Sequence, residues 1–381
     1  MYLFCAAGIY ASEQRAYSDT TNTDTFEAVT HQKHVPFADF SKGPLFGKNM
    51  YIPFLIHYNF PSVPAKSGKR FDLQCHFSAY YINDTHYKDG TPQFPVRQYD
   101  KQYITRDYES WVAELGFAYN IQDNFQLGLD LRLFSFYAGS MDSFIEAFHG
   151  FFGFPNGLRE FFLQNQIYIN IPNNNGITIF LDKPATSFGD IDLWGKWTFF
   201  ENKPVSLAAL GAFKLPTGKL EKLSGSGYPD AGLGLLMDFR ANRYLSMYTQ
   251  AGLVLPFNGK SHPMFSGLLG LEVHPWQILS LNLQMDIKSS PIRDNTIPFP
   301  LNDMLGTNFF QYSLPQINLL GGVVVQYKGF RGQLNFEQDP FTNQGTDITF
   351  CLTVSYTTNL EKLFRSTGFP VKLWFWQKSS L

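Results

Sequence analysis

The chain has 381 residues, a formal net charge of −2 and 17% aromatic residues, including 39 phenylalanines and 20 tyrosines. The near-neutral charge and the lack of a basic stripe exclude a nucleic-acid partner, and no segment reaches the run of about 20 apolar residues that a membrane helix needs. The mean hydropathy of −0.17 fits a soluble protein or an outer-membrane β-barrel, because half of each barrel strand is polar.

The N-terminal part of the chain shows no strand periodicity. Residues 1–11, MYLFCAAGIYA, are apolar and end in small residues, which is typical of the remnant of a secretory signal peptide; an ordinary N-terminal strand is the alternative. Residues 12–69 begin with a polar stretch and then mix aromatic residues with proline and glycine. We expect this part to form a periplasmic segment, a plug inside a barrel or an extra hairpin.

Residues 70–357 repeat the period-two alternation of β-strands, most clearly at 111–133, where WVAELGFAYN and FQLGLDLRL flank a short turn. The apolar face of this hairpin is uniform, whereas the other face carries charge and glycine. Each repeat is about ten residues long, the length of a tilted membrane strand. The twelve predicted strands lie at 71–81, 111–120, 125–134, 189–199, 204–215, 229–239, 244–255, 264–274, 277–287, 315–327, 330–338 and 346–356.

The connections between these strands alternate between tight turns and longer loops. Short periplasmic turns, long outer loops and an even strand count are the topology of an outer-membrane barrel. The sequence therefore predicts an all-β fold, a transmembrane antiparallel up-and-down β-barrel of twelve strands. Adding residues 50–59 and 369–377 would give fourteen strands; otherwise residues 358–381 form a C-terminal tail or a closing strand.

Charge is confined to one face of the predicted strands. Eleven acids and four bases share the polar parity and none lies on the apolar parity, as expected if the apolar face meets lipid, where a charge costs up to about 2 to 4 kcal/mol. The polar face would be an acidic lumen that favours cations, or its charges would pair with one another in salt bridges. The residues predicted to line the lumen are Glu114, Asp130, Arg132, Asp192, Lys196, Lys214, Asp238, Glu272 and Asp286.

The longest loop contains an aromatic-rich helical insertion at residues 141–166. Ser143 and Glu146 have the spacing of a capping box, and aromatic residues recur at helical intervals before Asn156 and Gly157 break the run. This insertion either folds into the barrel mouth as a constriction or lies at the outer membrane surface. The residues of the predicted constriction are Phe144, Phe148, His149, Phe151, Phe152 and Arg159.

The sequence offers little support for catalysis. His76 and Ser78 share one inward face of the first strand and His274 lies inward near a turn, but no G-x-S-x-G motif is present. The three cysteines match no zinc or redox motif. We therefore predict that the chain is not an enzyme and has no catalytic residues, metal or cofactor; an outer-membrane lipase is the less favoured alternative.

Three motifs carry a resemblance to a known family. The segments FIEAFHGFFGFPNG, SFGDIDLWGKW and KLPTGK with GSGYPDAG make residues 110–357 similar to an uncharacterised family of bacterial outer-membrane barrels. That resemblance implies a fold and a location in the bacterial cell outer membrane, and no activity. The chain resembles more weakly the long-chain fatty-acid outer-membrane channels, which have fourteen strands and an N-terminal hatch.

Together these features predict a passive channel or solute-uptake protein in the outer membrane. Its partners would be outer-membrane lipid, small polar or hydrophobic solutes, and the barrel-assembly machinery that inserts it. A non-conducting barrel with a structural or adhesive surface role is the alternative function.

Overall fold

The computed structural model describes residues 40–46, 57–88, 104–153, 163–171, 179–259, 261–290, 315–338, 346 and 348–367. The predicted signal-peptide remnant at 1–11, Arg159 and the predicted additional strand at 369–377 lie outside these residues. So does most of the other additional strand, at 50–59.

The described residues contain fifteen strands, of which twelve are long. The strands are β1 (Asp72–Lys88), β2 (Ile104–Gln122), β3 (Phe125–Tyr137), β4 (Tyr168–Ile171), β5 (Ile179–Leu181), β6 (Ala185–Phe188), β7 (Ile191–Asn202), β8 (Val205–Leu215), β9 (Asp230–Arg240), β10 (Leu245–Pro256), β11 (Met264–Trp276), β12 (Leu279–Lys288), β13 (Gln316–Tyr327), β14 (Phe330–Gln338) and β15 (Ile348–Asn359). Two helices, α1 (Asp142–Phe152) and α2 (Leu360–Thr367), and a 3₁₀ turn at Leu220–Lys222 complete these elements.

The twelve long strands close into an antiparallel barrel. Each pairs with its neighbours along the chain, β3 pairs with β7, and β1 pairs with β15 from Asp72 opposite Asn359 to Asn83 opposite Ile348. The prediction of a twelve-stranded barrel is therefore confirmed. The fourteen-strand alternative is wrong, because β1 and β15 are hydrogen-bonded to each other and an extra pair would have to stand between them.

The first two strands are longer than the alternation predicted. β1 has 17 residues and β2 has 19, so both enter the region predicted as the loop 82–110. Beyond Tyr81 the sequence turns polar, with Asn83 and Asp84, yet the ladder to β2 continues. Two short strands prolong the sheet, because β4 pairs with β2 and β5 pairs with β4. A strand that rises above the lipid is no longer required to keep an apolar outer face, and the sequence signal stops there.

The two faces of the wall differ in exposure as their sequence parity predicts. Leu233 and Leu235 on the outer face are 73% and 61% exposed, whereas Glu114 and Lys196 on the inner face are 2% and 1% exposed. Exposed aromatic residues collect at the end with short turns, as in the girdles of outer-membrane barrels; they include Trp197, Tyr244, Trp276, Tyr327 and Phe330. No helix among the described residues is long and apolar enough to cross a membrane.

Candidate functional site: the barrel interior

Two described stretches of the chain before β1 lie inside the barrel. Residues 40–46 and 57–68, called the plug below, lie against the inner wall, and an ideal Cβ on Gly43 would be 3.6 Å from Pro64 in the other stretch. Leu45 is fully buried against Leu320 and Val324 of β13. The described part of residues 12–69 lies against the inner face of the wall, and its assignment as a plug, a periplasmic segment or an extra hairpin stays a prediction.

Wall carboxylates hold the plug by its backbone. Asp238 accepts hydrogen bonds from the backbone N–H groups of Ala65 and Lys66 at 2.8 and 2.9 Å. Glu272 accepts from the N–H of Lys42 at 3.1 and 3.2 Å through its two oxygens. Because the plug is not in a sheet, its N–H groups need side-chain acceptors, and charged acceptors form the stronger bonds.

Asp230 holds the plug at the loop end of the barrel. Its Oδ2 accepts from the Tyr58 N–H at 2.8 Å and lies 3.3 Å from Nδ1 of His57. Lys214, one of the predicted lumen residues, places Nζ 2.5 Å from Asp190 and 3.4 Å from the same Asp230 oxygen. Lys214 is therefore part of a salt bridge at this end.

Wall bases bind the plug carbonyls. Lys196 Nζ donates to the carbonyl oxygens of Pro64 at 2.7 Å and Lys66 at 3.0 Å. Arg331 Nη2 donates to the Pro44 carbonyl at 2.8 Å. Acidic side chains of the wall thus bind N–H groups of the plug, and basic side chains of the wall bind its carbonyl groups.

A glycine in the wall provides space for a buried phenylalanine of the plug. Phe60 is buried among side chains of β8 to β11. A Cβ on Gly252 would lie 2.5 Å from its ring, closer than a real carbon contact. The small residue at this strand position is therefore needed for the plug to pack, a requirement that the alternation of the sequence does not reveal.

A second group of predicted lumen residues forms an ion-pair cluster across β1, β2, β3 and β7. Arg132 places Nε 2.6 Å from Glu114 Oε2 and Nη1 2.6 Å from Asp192 Oδ2. His76 Nε2 lies 3.3 Å from Glu114 Oε1 and 3.9 Å from Asp130 Oδ1. All five side chains are buried. This cluster fits the alternative in which the charges of the acidic inner face pair with one another in salt bridges.

His76, Glu114 and Asp130 also have the composition of a metal site. They offer one ligand atom each, all within 4.8 Å of one another. However, Arg132 already supplies a positive charge at Glu114, and Trp194 Nε1 donates to Asp130 at 3.1 Å. The geometry is that of a buried ion-pair network more than of a cation site. The absence of a metal stays a prediction.

The ninth predicted lumen residue, Asp286, accepts from Gln284 Nε2 at 3.0 Å and is buried. Sequence analysis did not single out several inner-face residues that also meet the plug. They include Tyr248, which donates to Glu272 and accepts from the Gly43 N–H, and Thr198, which donates to the Ala65 carbonyl. Their position in the period-two alternation places these residues on the inner face. The neighbouring sequence does not indicate which plug residues they bind.

The loop end of the barrel is filled by an apolar cluster. Residues from β4, β5 and the loop before β9 pack onto the wall there, notably Ile169, Leu181 and Leu223. They contact Tyr80, Phe134 and other inward aromatic residues of β1 to β3. Within the described residues, the plug and this cluster together occupy much of the space that the sequence assigned to a water-filled lumen.

The helical insertion is present as α1, and its predicted capping box is wrong. The helix begins at Asp142 with no side-chain cap on its preceding residue. Ser143 Oγ donates to Gln164 Oε1, and Gln164 Nε2 donates to Glu146 Oε2 at 3.2 Å. Both residues of the expected box therefore bind a distant glutamine instead, which only the folded loop brings to the helix.

The described phenylalanine side chains of α1 are exposed. Phe144, Phe148 and Phe151 are 58%, 39% and 83% exposed, and His149 is partly exposed. The Phe152 side chain and Arg159 lie outside the described residues. Exposed side chains are expected if α1 lies at the outer membrane surface. Narrowing of the barrel mouth by this helix stays a prediction.

Two hydrogen-bonded groups resemble parts of a hydrolase site. Ser78, proposed beside His76, instead pairs with Thr353 at 2.8 Å. Ser246 Oγ lies 3.1 Å from His274 Nε2, and His274 Nδ1 lies 3.4 Å from Glu272 Oε1. Ser246 and His274 are only 1% exposed, and Glu272 is already bound to the plug. This geometry fits structural hydrogen bonding and leaves no access for a substrate.

The fold defines an outer-membrane β-barrel, with residues 40–46 and 57–68 against its inner wall. Residues 98–296, more than half of the chain, match the family model described as a protein of unknown function, DUF3187. The chain belongs to this family, so the resemblance to an uncharacterised family of outer-membrane barrels is confirmed. A search of curated proteins found no match.

Solved structures of channels and porins share the fold. The COG4313 outer-membrane channel from Pseudomonas putida F1 is 10% identical, with a TM-score of 0.52 over 79% of this chain and 100% of that chain. The KdgM porin is 7% identical with a TM-score of 0.39, covering 74% and 98% of the two chains. The toluene transporter TodX from Pseudomonas putida is 9% identical with a TM-score of 0.35, covering 76% and 89%. The structural match to the COG4313 channel establishes a shared barrel fold alone.

Proposed function

We propose that this protein is a gated outer-membrane channel for solute uptake, and that the plug closes it. The observation that carries the proposal is the way the plug is held. Asp238, Glu272, Lys196 and Arg331 contact its backbone from several wall strands. Water can replace each of these hydrogen bonds, so the plug can leave while the ladders of the wall remain intact.

Single-channel recording in planar bilayers tests this proposal. The intact protein is compared with a variant that lacks residues 40–67, after heat-modifiable migration in gels has shown that both are folded. We expect rare, small openings from the intact protein and frequent, larger openings from the variant. Silence from both folded proteins would refute the proposal and favour a non-conducting structural or adhesive barrel.

A second deletion serves as a control and tests the predicted constriction. Removing residues 141–166 takes away α1 but none of the plug. If α1 lies outside the conduction path, as its exposed phenylalanines suggest, this deletion leaves the opening frequency unchanged. A rise equal to that of the plug deletion would instead make α1 the gate.

A further inference from the structure

A cavity of about 270 Å³ remains between the plug and the wall at the end with short turns. That end faces the periplasm in outer-membrane barrels. We call this space the vestibule; Lys42 and Lys66 of the plug and Lys196, Asp238 and Arg331 of the wall are among the residues that line it. It is large enough for a small organic molecule and too small for an oligosaccharide.

The vestibule has more bases than acids, the opposite of the balance predicted for the lumen. Four bases line it, against the two acids Asp72 and Asp238. Both acids bind neutral N–H donors: Asp238 accepts from two plug amides, and Asp72 accepts from the Lys69 N–H and from Asn359 Nδ2, both at 2.8 Å. Neither acid forms a salt bridge with Lys42, Lys196 or Arg331 among the described residues.

Three of the vestibule bases have only neutral partners among the described residues. Lys42 Nζ donates to the Phe40 carbonyl at 3.0 Å, and Lys196 Nζ donates to two plug carbonyls. Arg331 Nη2 donates to the Pro44 carbonyl and, at 3.1 Å, to Gln333 Oε1. None of the three forms an ion pair with a carboxylate in the part of the chain that the structure describes.

Arg331 adds an independent sign of a missing partner. Its side chain is 93% buried, since 7% is exposed, and its Nε has no hydrogen-bond partner among the described residues. The ring of Phe46 lies over the guanidinium at 4.5 Å and holds its plane. An oriented guanidinium with a free N–H matches the planar oxygens of a carboxylate or phosphate.

Burying cations is costly, and the nearby carboxylates of Glu272 and Asp238 are bonded to plug N–H groups rather than to these bases. An anion in the same cavity would offset more of that cost. We infer that the vestibule is an anion-binding site for the carboxylate or phosphate group of a small solute, with Lys42, Lys196 and Arg331 as its ligands. The inference rests on the proposed channel function in taking that solute as cargo. Binding itself does not require conduction.

Isothermal titration calorimetry on the detergent-solubilised full chain tests the site. Inorganic phosphate and succinate are the two anionic probes, and ethylenediamine is the cationic control. We expect at least one anion to bind and the diamine not to bind. Preference for phosphate or for succinate assigns the site to that group, and binding of both assigns it to small anions in general.

The variant Arg331→Gln removes the unpartnered donor, and Arg240→Gln is the matched control because Arg240 is an inward arginine that bonds Ser206 at 3.0 Å outside the vestibule. We expect anion affinity to fall by about tenfold or more in Arg331→Gln, because a charge-assisted hydrogen bond is lost, and to stay unchanged in Arg240→Gln. If Arg331→Gln does not fold, Lys42→Gln in the plug gives the same test.

Two results would overturn the site: no binding of either anion to the intact protein, or equal binding to Arg331→Gln and Lys42→Gln. The two proposals can fail separately. Anion binding by a protein that never conducts would retain the site and refute the channel, whereas conduction without anion binding would refute only the site.

Discussion

Replacing Asp238 with asparagine is expected to loosen the plug while leaving the wall in place. The carboxylate is 4% exposed, and its two oxygens accept the N–H groups of Ala65 and Lys66 at 2.8 and 2.9 Å. Asparagine has the same shape but only one acceptor oxygen. Its NH₂ group would face one of the plug N–H groups, so one hydrogen bond is lost and the other loses its charge.

The size of the effect follows from these two bonds. A hydrogen bond to a charged group contributes about 1.5 to 3 kcal/mol, so we take about 2 kcal/mol as the loss in free energy of plug docking. Since 1.4 kcal/mol corresponds to a factor of ten, the population with a displaced plug should rise by roughly 30-fold. The barrel itself should keep its stability, because Asp238 is bonded to the plug and not across the wall.

Open probability in planar bilayers measures this population, and limited proteolysis of the plug in detergent is a second measurement. Glu337→Gln is the matched control, since it neutralises another buried inward acid, one that is bonded to Asn318 on the neighbouring strand. If Asp238→Asn gave the open probability and cleavage rate of the parent, or if Glu337→Gln raised them equally, the assignment of Asp238 as a plug anchor would be wrong.

Two further substitutions test the two faces of the wall. Leu235→Lys places a charge on an outer position that is 61% exposed, and should cost about 2 to 4 kcal/mol of folding into lipid vesicles; folding as favourable as that of Leu235→Ala would argue that this face does not meet lipid. Arg132→Met leaves two buried carboxylates without the guanidinium that lies 2.6 Å from each, and should cost about 3 to 5 kcal/mol. An unchanged midpoint of the heat-modifiable transition would contradict that expectation.

The wall of the barrel could be predicted because its signal is local. In residues 111–133, period two places Leu115 and Leu127 on one face and Glu114 and Arg132 on the other, and lipid excludes charge from the first face. The same rule located the other ten strands. It lost the upper parts of β1 and β2, where polar residues such as Asp84 and Arg106 are buried and the alternation between an apolar and a polar face is absent.

The predicted capping box is a second case in which a local sequence pattern did not predict the contacts of the folded protein. Ser143 and Glu146 have the spacing of a capping box, but the folded loop supplies Gln164 to both. The spacing of a motif shows which groups could form a hydrogen bond, but not which other groups of the folded protein compete for the same bond.

The amino-acid sequence by itself determined which solvent each face of each strand meets, because that choice depends only on neighbours along one strand. Only the tertiary structure decided what fills the barrel. The contacts of Lys42 with Glu272 and of Ala65 with Asp238 join residues 230 and 173 positions apart. No local pattern encodes such pairs, since barrel closure and the path of an irregular segment create them. Carboxylates of the acidic inner face bind the plug backbone, and the space left beside the plug is lined by more bases than acids.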